Sequence, residues 1–275
     1  MQGTLIEAFD SKQICHMIVP AFPPPIWGLI FVLSAALPLW FLSLQLRDAS
    51  IADIFWGPGI AGVVDIAAWT GGASGARTSA LLLLVNLWAF RLAAHIWSRH
   101  KGEDRRYAEM RRHYGAQWWW LSLIQVFLLQ AILIWFVPAP AIAGLLFSHR
   151  PMGWMDYLGI ALAAGGLILE ALADSQMAAF QASPNSRGKV MDRGLWGWSR
   201  HPNYFGECVL WWGIFLIGYG ASHQVWLVLS PILVTVLLLK VSGISLMEEK
   251  IDDRRPGYAE YRRRVSAFVP RPPRP

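Results

Sequence analysis

The sequence predicts an all-α, polytopic membrane protein of about seven transmembrane helices, and three features carry that prediction. The 275 residues are 55% hydrophobic and only 15% charged, too apolar for a soluble domain and too long for a single anchor. Seven apolar stretches, each near the roughly twenty residues that a spanning helix needs, follow one another along the chain. The 16 tryptophans are an excess that suits rings held at membrane interfaces.

Residues 1–25, ending in Pro23-Pro24-Pro25, read as a leader. Glu7 and Asp10, with no basic start before an apolar run, argue against a secretory signal. Residues 26–275 form one membrane domain, with spans expected at 26–46, 51–70, 78–98, 118–140, 155–177, 204–221 and 224–246. A short turn around Arg47-Asp48 joins the first two, and Gly71-Gly72-Ala73-Ser74-Gly75 joins the second to the third. Pro138 and Pro140 end or kink the fourth. Loops 99–117 and 178–203 and the tail 247–275 hold most of the basic residues, whereas the alternate loops hold little beyond Arg77 and Arg150. The positive-inside rule therefore puts the C-terminus in the cytoplasm, and seven spans leave the N-terminus outside. If the source is a bacterium, the membrane is the inner, or plasma, membrane.

The net charge of +6 follows the same loops, so no nucleic-acid partner is expected. The only cysteines, Cys15 and Cys208, lie far apart and give neither a disulfide framework nor a CxxC pair. No HxxxH or HExxH spacing occurs, so no metal site is expected.

The polar residues inside the spans are biased to one side. Asp53 opens the second span. Arg91 and His95 lie four apart in the third, Glu170 and Asp174 four apart in the fifth. Glu207 begins the sixth, and Lys240 is in the inner half of the seventh. Asp65 alone dissents. Carboxylates snorkel poorly, so this bias implies a polar cavity open to the cytoplasm. The densest chemistry is in Arg193 to Glu207, running into Trp211-Trp212-Gly213, where Pro202 opens a helix that carries Asn203, Glu207 and Trp211 on one face. Arginines in the basic loops, with Tyr258 and Tyr261 among those of the tail, suit phosphate oxygens. Acidic lipid headgroups would suit the tail as well.

These residues resemble the integral-membrane steroid 5α-reductases and their bacterial relatives, from about Asp53 to the C-terminus. The stretch from Asp174 through Asn203 to Glu207 and Trp211 is similar to the family's nicotinamide-dinucleotide segment, Arg105-Arg106-Tyr107 to a loop motif, and Tyr261 to Pro270 to its closing segment. The resemblance implies NADPH as cofactor. It assigns cofactor contacts to Arg105, Tyr107, Glu170, Asp174, Lys189, Arg193, Arg200, His201, Asn203, Tyr204, Glu207 and Trp211, and to Arg254, Tyr258 and Tyr261 of the tail. At the catalytic end it implies Asp53, Trp88 and Arg91. Asp53 resembles the acid that holds a substrate's 3-keto oxygen. Trp88 falls where animal enzymes have a catalytic tyrosine. Indole donates one hydrogen bond but cannot shuttle a proton, so the resemblance leaves the proton donor unassigned.

The implied reaction is NADPH-dependent reduction of the Δ4 double bond of a 3-oxo steroid or sterol-like lipid. Hydride adds at C5 only if charge can flow to the 3-oxygen, so the site must stabilise an oxyanion away from water. Asp53 is expected to act protonated, as a donor to that oxygen, with Arg91 as its charged neighbour. The substrate is expected to enter from the lipid among the first four helices, and a monomer is expected. Arg200 to Tyr204 also resembles the Arg-His-Pro-x-Tyr segment of related membrane methyltransferases. S-adenosylmethionine-dependent methylation of a lipid or a prenylated cysteine is therefore the alternative.

Overall fold

The apolar runs form helices whose ends are set by prolines, glycines and polar caps. The computed structural model describes residues 22–186, 188–241 and 257–274. Helix α1, Pro24–Leu46, starts on a proline and ends where Arg47 turns into the left-handed region (φ 53°). Helix α2 spans Ile51–Thr70, and α3 spans Ala76–Arg99. The segment expected as loop 99–117 contains an amphipathic helix, α4, Arg105–Tyr114, capped by the side chain of Asp104.

The fourth span, α5 (118–136), passes through a π-helical segment, Leu123–Leu128, and ends at Phe136. Pro138 then starts a short helix, α6, Ala139–Leu146, so the prolines break this span as expected. Helix α7, Trp154–Ala182, is longer than its predicted 155–177, and α8 runs Pro202–Ser222. The seventh span begins with a tight turn, Val225–Val228, continues as α9, Leu229–Val236, and passes into π-helix to Val241. Its predicted end at 246 lies outside the described residues. A tail helix, α10, covers Tyr258–Arg264.

Among the described residues six helices are long and apolar enough to cross a membrane, and a shorter apolar one follows at Val225–Lys240. The protein is an integral, multi-pass membrane protein. Among the described residues there is no strand beyond an isolated bridge between Ser199 and Ser266.

The packing that matters most for the site is α7 on α8. A Cβ added at Gly206 would lie 2.7 Å from the backbone N of Glu170, and one at Gly213 would lie 2.5 Å from the N of Ala163. Gly159 and Gly166 present the same bare backbone from α7. Helices with glycine on both sides approach to backbone contact, the arrangement that membrane interfaces favour where there is no hydrophobic drive between helices. That approach brings Glu170 and Asp174 against the face of α8 that carries Asn203, Glu207 and Trp211.

The end of the bundle away from the basic loops is stapled by charge. Arg77, expected as a loop cation, is 1% exposed in the first turn of α3. It bonds both oxygens of Asp156 (2.6 and 3.0 Å) and the carbonyls of Phe147, Arg150 and Pro151. A guanidinium satisfied on every side is structural.

Candidate functional site

Three helices bring six of the polar residues to one place. Arg91 on α3 reaches between Asp174 (Nη1 to Oδ2, 2.7 Å) and Glu170, to which its Nη2 donates. Asn203 on α8 donates to the other oxygen of Asp174 at 3.1 Å, and the His95 ring lies 3.7 Å from that oxygen. Glu207, one turn further along α8, is buried and makes no hydrogen bond among the described residues. The floor is Trp88 against Trp211, edge to face at 5.1 Å, both fully buried. The i, i+4 spacing on each helix produces this convergence.

Among the described residues three carboxylates face a single guanidinium, an imbalance that asks for further donors or for protons. Several buried polar atoms have no partner among the described residues: Arg91 Nε, Glu170 Oε2, Asn203 Oδ1 and the indole Nε1 of Trp88. Natively folded proteins leave few such groups, and those left over ask for a partner such as water, an ion or a ligand.

A second cluster surrounds Asp53. Its expected neighbour, Arg91, belongs to the first cluster. Asp53 instead meets the guanidinium of Arg106 (2.8 Å to Oδ2), the phenol of Tyr107 (2.7 Å to Oδ1) and the amide of Gln130 (3.2 Å to Oδ1). Arg106 and Gln130 reach the carboxyl with N–H donors, and Tyr107 reaches it with a hydroxyl that can donate or accept. The Gln130 amide also donates to the Tyr107 oxygen at 3.1 Å, which leaves Gln130 Oε1 buried without a partner. Gln130 lines a small cleft of about 10 Å³, room for one water, whose other walls are apolar, among them Val32 and Ala36 of α1, Phe55 of α2, and Phe127 and Ile134 of α5.

Tyr204, in the first turn of α8, interacts electrostatically with Glu207, Asp174 and Arg106. Its ring stacks on His201. Asp104, at the start of α4 and outside the spans, is partly buried, which raises its pKa. The Arg106 N–H, its guanidinium hydrogen bond and its charge outweigh that and hold the carboxyl below its usual value.

The remaining sequence-predicted residues divide by role. Arg200 donates to the carbonyls of Val265 (2.8 Å) and Arg262 (3.0 Å), and buried Tyr261 donates to the carbonyl of Trp196 at 2.6 Å. Buried Tyr258 packs beside Tyr261. These contacts, with Ser199 on the Phe268 carbonyl, dock the tail onto residues 194–200 next to the first cluster. Arg105 is exposed and paired with Glu109, and Lys189 and Arg193 are exposed. Arg254 lies outside the described residues. Sequence reasoning missed Gln130 and the pairing of Arg106 with Asp53. A lone amide deep in an apolar span was the signal available for Gln130.

The chain belongs to the DUF1295 family, described as proteins of unknown function, whose match covers residues 39–265. It is 27% identical over 225 residues to an uncharacterized protein of Schizosaccharomyces pombe. That match covers 71% of this chain and 64% of the yeast protein, so the chain spans less than two thirds of that relative's length. No solved structure matches the chain.

Proposed function

We propose that this DUF1295 protein is a membrane oxidoreductase that uses NADPH to reduce the carbon–carbon double bond of a 3-oxo steroid or a similar sterol-like enone. The family includes steroid 5α-reductase-like membrane proteins, which supports the class. The observation that carries the reading is the first cluster, with its buried unpaired donor and acceptors and its surplus of carboxylates.

A nicotinamide carboxamide offers two N–H donors and one acceptor. Arg91 Nε is an unused donor, and Glu170 Oε2 and Asn203 Oδ1 are unused acceptors, so the residues present fit such a group. Glu207, without a hydrogen bond of its own, is a further acceptor beside them. NADPH would supply hydride, and this chain would supply binding, orientation and exclusion of water. Trp88 and Trp211 close the floor against solvent. The exposed cations Arg105, Lys189 and Arg193 are suited to the phosphates and favour the 2′-phosphate of NADPH over NADH. The basic end of the bundle would then face the cytoplasm, where the nucleotide is found.

The apolar cleft beside Asp53 holds about one water, so a lipid-soluble substrate would have to part α1 from α2 and α5 to bring its polar end to Arg106, Tyr107 and Gln130. Both clusters come from one chain, so a monomer suffices.

The test uses the purified full chain in mild detergent. Nucleotide fluorescence should report saturable NADPH binding, weaker NADH binding, and a loss of about tenfold or more in Arg91→Met or Glu207→Gln. Adding a Δ4-3-ketosteroid should then deplete NADPH absorbance. S-adenosylmethionine binding with no NADPH affinity would overturn the reading in favour of methyl transfer.

A further inference from the structure

We propose that the outward face of α4, with the end of α3 beside it, is a docking surface for anionic phospholipid headgroups, which hold α4 seated on Asp53. Arg99, Lys101 and Arg112 are its contact residues. The surface is separate from the cluster of α3, α7 and α8 and independent of what that cluster binds.

The depth of this segment is marked on both sides. Trp97, in the last turn of α3, is 68% exposed, and Trp119 and Trp120, at the start of α5, are 59% and 41% exposed. Exposed indoles settle where hydrocarbon meets headgroups. The residues between Trp97 and Trp119, α4 among them, therefore lie at headgroup level.

The charges there divide by direction. Tyr107, Met110 and Tyr114 turn one face of α4 onto the core. Arg106 is spent on Asp53 and Asp104, and Arg111 on Glu103. Arg105 and Arg112, seven residues apart, share the opposite face, where Arg105 pairs with Glu109. Arg112 is exposed and donates to a carbonyl of its own helix, that of Ala108, at 3.3 Å. Arg99 and Lys101 are exposed as well, and Arg99 meets the His95 ring at 3.2 Å. Among the described residues these three cations form no ion pair. At the other end of the bundle Arg77 is buried on Asp156, while Arg150 donates to the Ala221 carbonyl and lies over the Phe147 ring. A trio of unneutralised cations at headgroup depth is complementary to the phosphate oxygens of acidic lipids.

Docking there reaches Asp53 through α4. The start of the helix is tied to the α1–α2 turn, where Glu103 accepts from the Ala49 N–H and the Asp104 N–H donates to the Ser50 hydroxyl. Arg112 is in the last turn, so a phosphate held by it fixes the other end. Arg106 and Tyr107, between the two, then stay at 2.8 and 2.7 Å from the acid. Headgroups that bind the seated helix and not the loosened one stabilise it by mass action.

The experiment places the full chain in nanodiscs of phosphatidylcholine containing increasing fractions of phosphatidylglycerol and follows hydrogen exchange of the α4 amides. Protection of α4 should rise with the anionic fraction. Arg99→Gln, Lys101→Gln and Arg112→Gln should each raise the fraction needed by about fivefold, the share of one basic residue near an anionic surface. The three together should abolish the lipid-dependent protection, whereas Arg112→Lys and the tail variant Arg271→Gln with Arg274→Gln should follow wild type. Should the triple variant misfold, high ionic strength should remove the protection from wild type instead. Equal protection in both lipids, protection that survives the triple substitution or high salt, or loss of it in the tail variant would each overturn the proposal. Protection by glycerol 3-phosphate in discs of phosphatidylcholine alone would overturn it in favour of a soluble-anion site.

Discussion

Replacing Arg91 with methionine tests whether the first cluster is held together as the geometry implies. The substitution keeps the length of the side chain and removes the charge between Glu170 and Asp174, whose side chains are 3% and 9% exposed. Breaking a buried pair by removing one partner costs about 3–5 kcal/mol, because the remaining charge stays desolvated. Arg91 is 21% exposed and Asn203 still donates to Asp174, so the lower end applies, about 3 kcal/mol. That corresponds to roughly a hundredfold shift in the unfolding equilibrium. Tryptophan fluorescence during denaturant titration in mixed micelles would follow it, because Trp88 and Trp211 floor the cluster. Adding Glu170→Gln and Asp174→Asn to Arg91→Met should recover most of the loss, since a neutral cluster has no stranded charge. NADPH binding should stay weakened in the triple variant. A loss below about 1 kcal/mol for Arg91→Met alone would show that the carboxylates are not held by this guanidinium, and the reasoning would fail.

The helix contact, the opposite end and the α4 cap give further checks. Gly206→Val pushes a side chain into the backbone N of Glu170 and should destabilise by about 1–3 kcal/mol or more, whereas Gly165→Val, which meets open space, should cost far less; thermal unfolding in detergent compares them. Arg77→Met strands Asp156 and should cost about 3–5 kcal/mol, yet leave NADPH affinity per folded molecule unchanged. Asp104 has its folded-state pKa depressed, so its contribution is complete above the unfolded-state pKa and is lost as pH falls through the folded-state one. Its carboxyl carbon should titrate by NMR with a midpoint below 3.8, and Arg106→Gln should move that midpoint upward.

What the sequence revealed and what it hid follow from the range of the contacts. Number and type of helices were legible because length and hydropathy are local, and the ends misjudged, as at α7, are those where polar residues extend a helix beyond the apolar run. The convergence of Arg91, Glu170, Asp174, Asn203 and Glu207 was legible because i, i+4 pairs at one depth must share faces. Arg77 was misjudged as a loop cation because its partner, Asp156, lies 79 residues away and looks from sequence like a helix-start acid. Gln130 carries no charge to stand out in an apolar run, though inside a membrane an amide asks for partners just as insistently.

The surroundings of Asp53 lay beyond any spacing rule, because they depend on how α4 is fastened. Glu103 accepts from the Ala49 N–H at 3.0 Å and takes a bidentate grip from Arg111 (2.7 and 3.0 Å). The Asp104 N–H donates to the Ser50 hydroxyl at 2.6 Å, and His100 lies 2.8 Å from Asp48. These contacts tie the start of α4 to the turn between α1 and α2, one turn of helix from Asp53. Arg106 and Tyr107 therefore reach the acid from a segment that hydropathy reads as loop. The head of the apolar cleft is thus composite, with the acid and the amide on spanning helices and the guanidinium and phenol on an amphipathic one. Any change that loosens Glu103 or Asp104 moves the two donors together and leaves the acid where it is. The cleft and the polar cluster of α3, α7 and α8 stay in place in that event, which makes α4 the element that decides whether the site is complete.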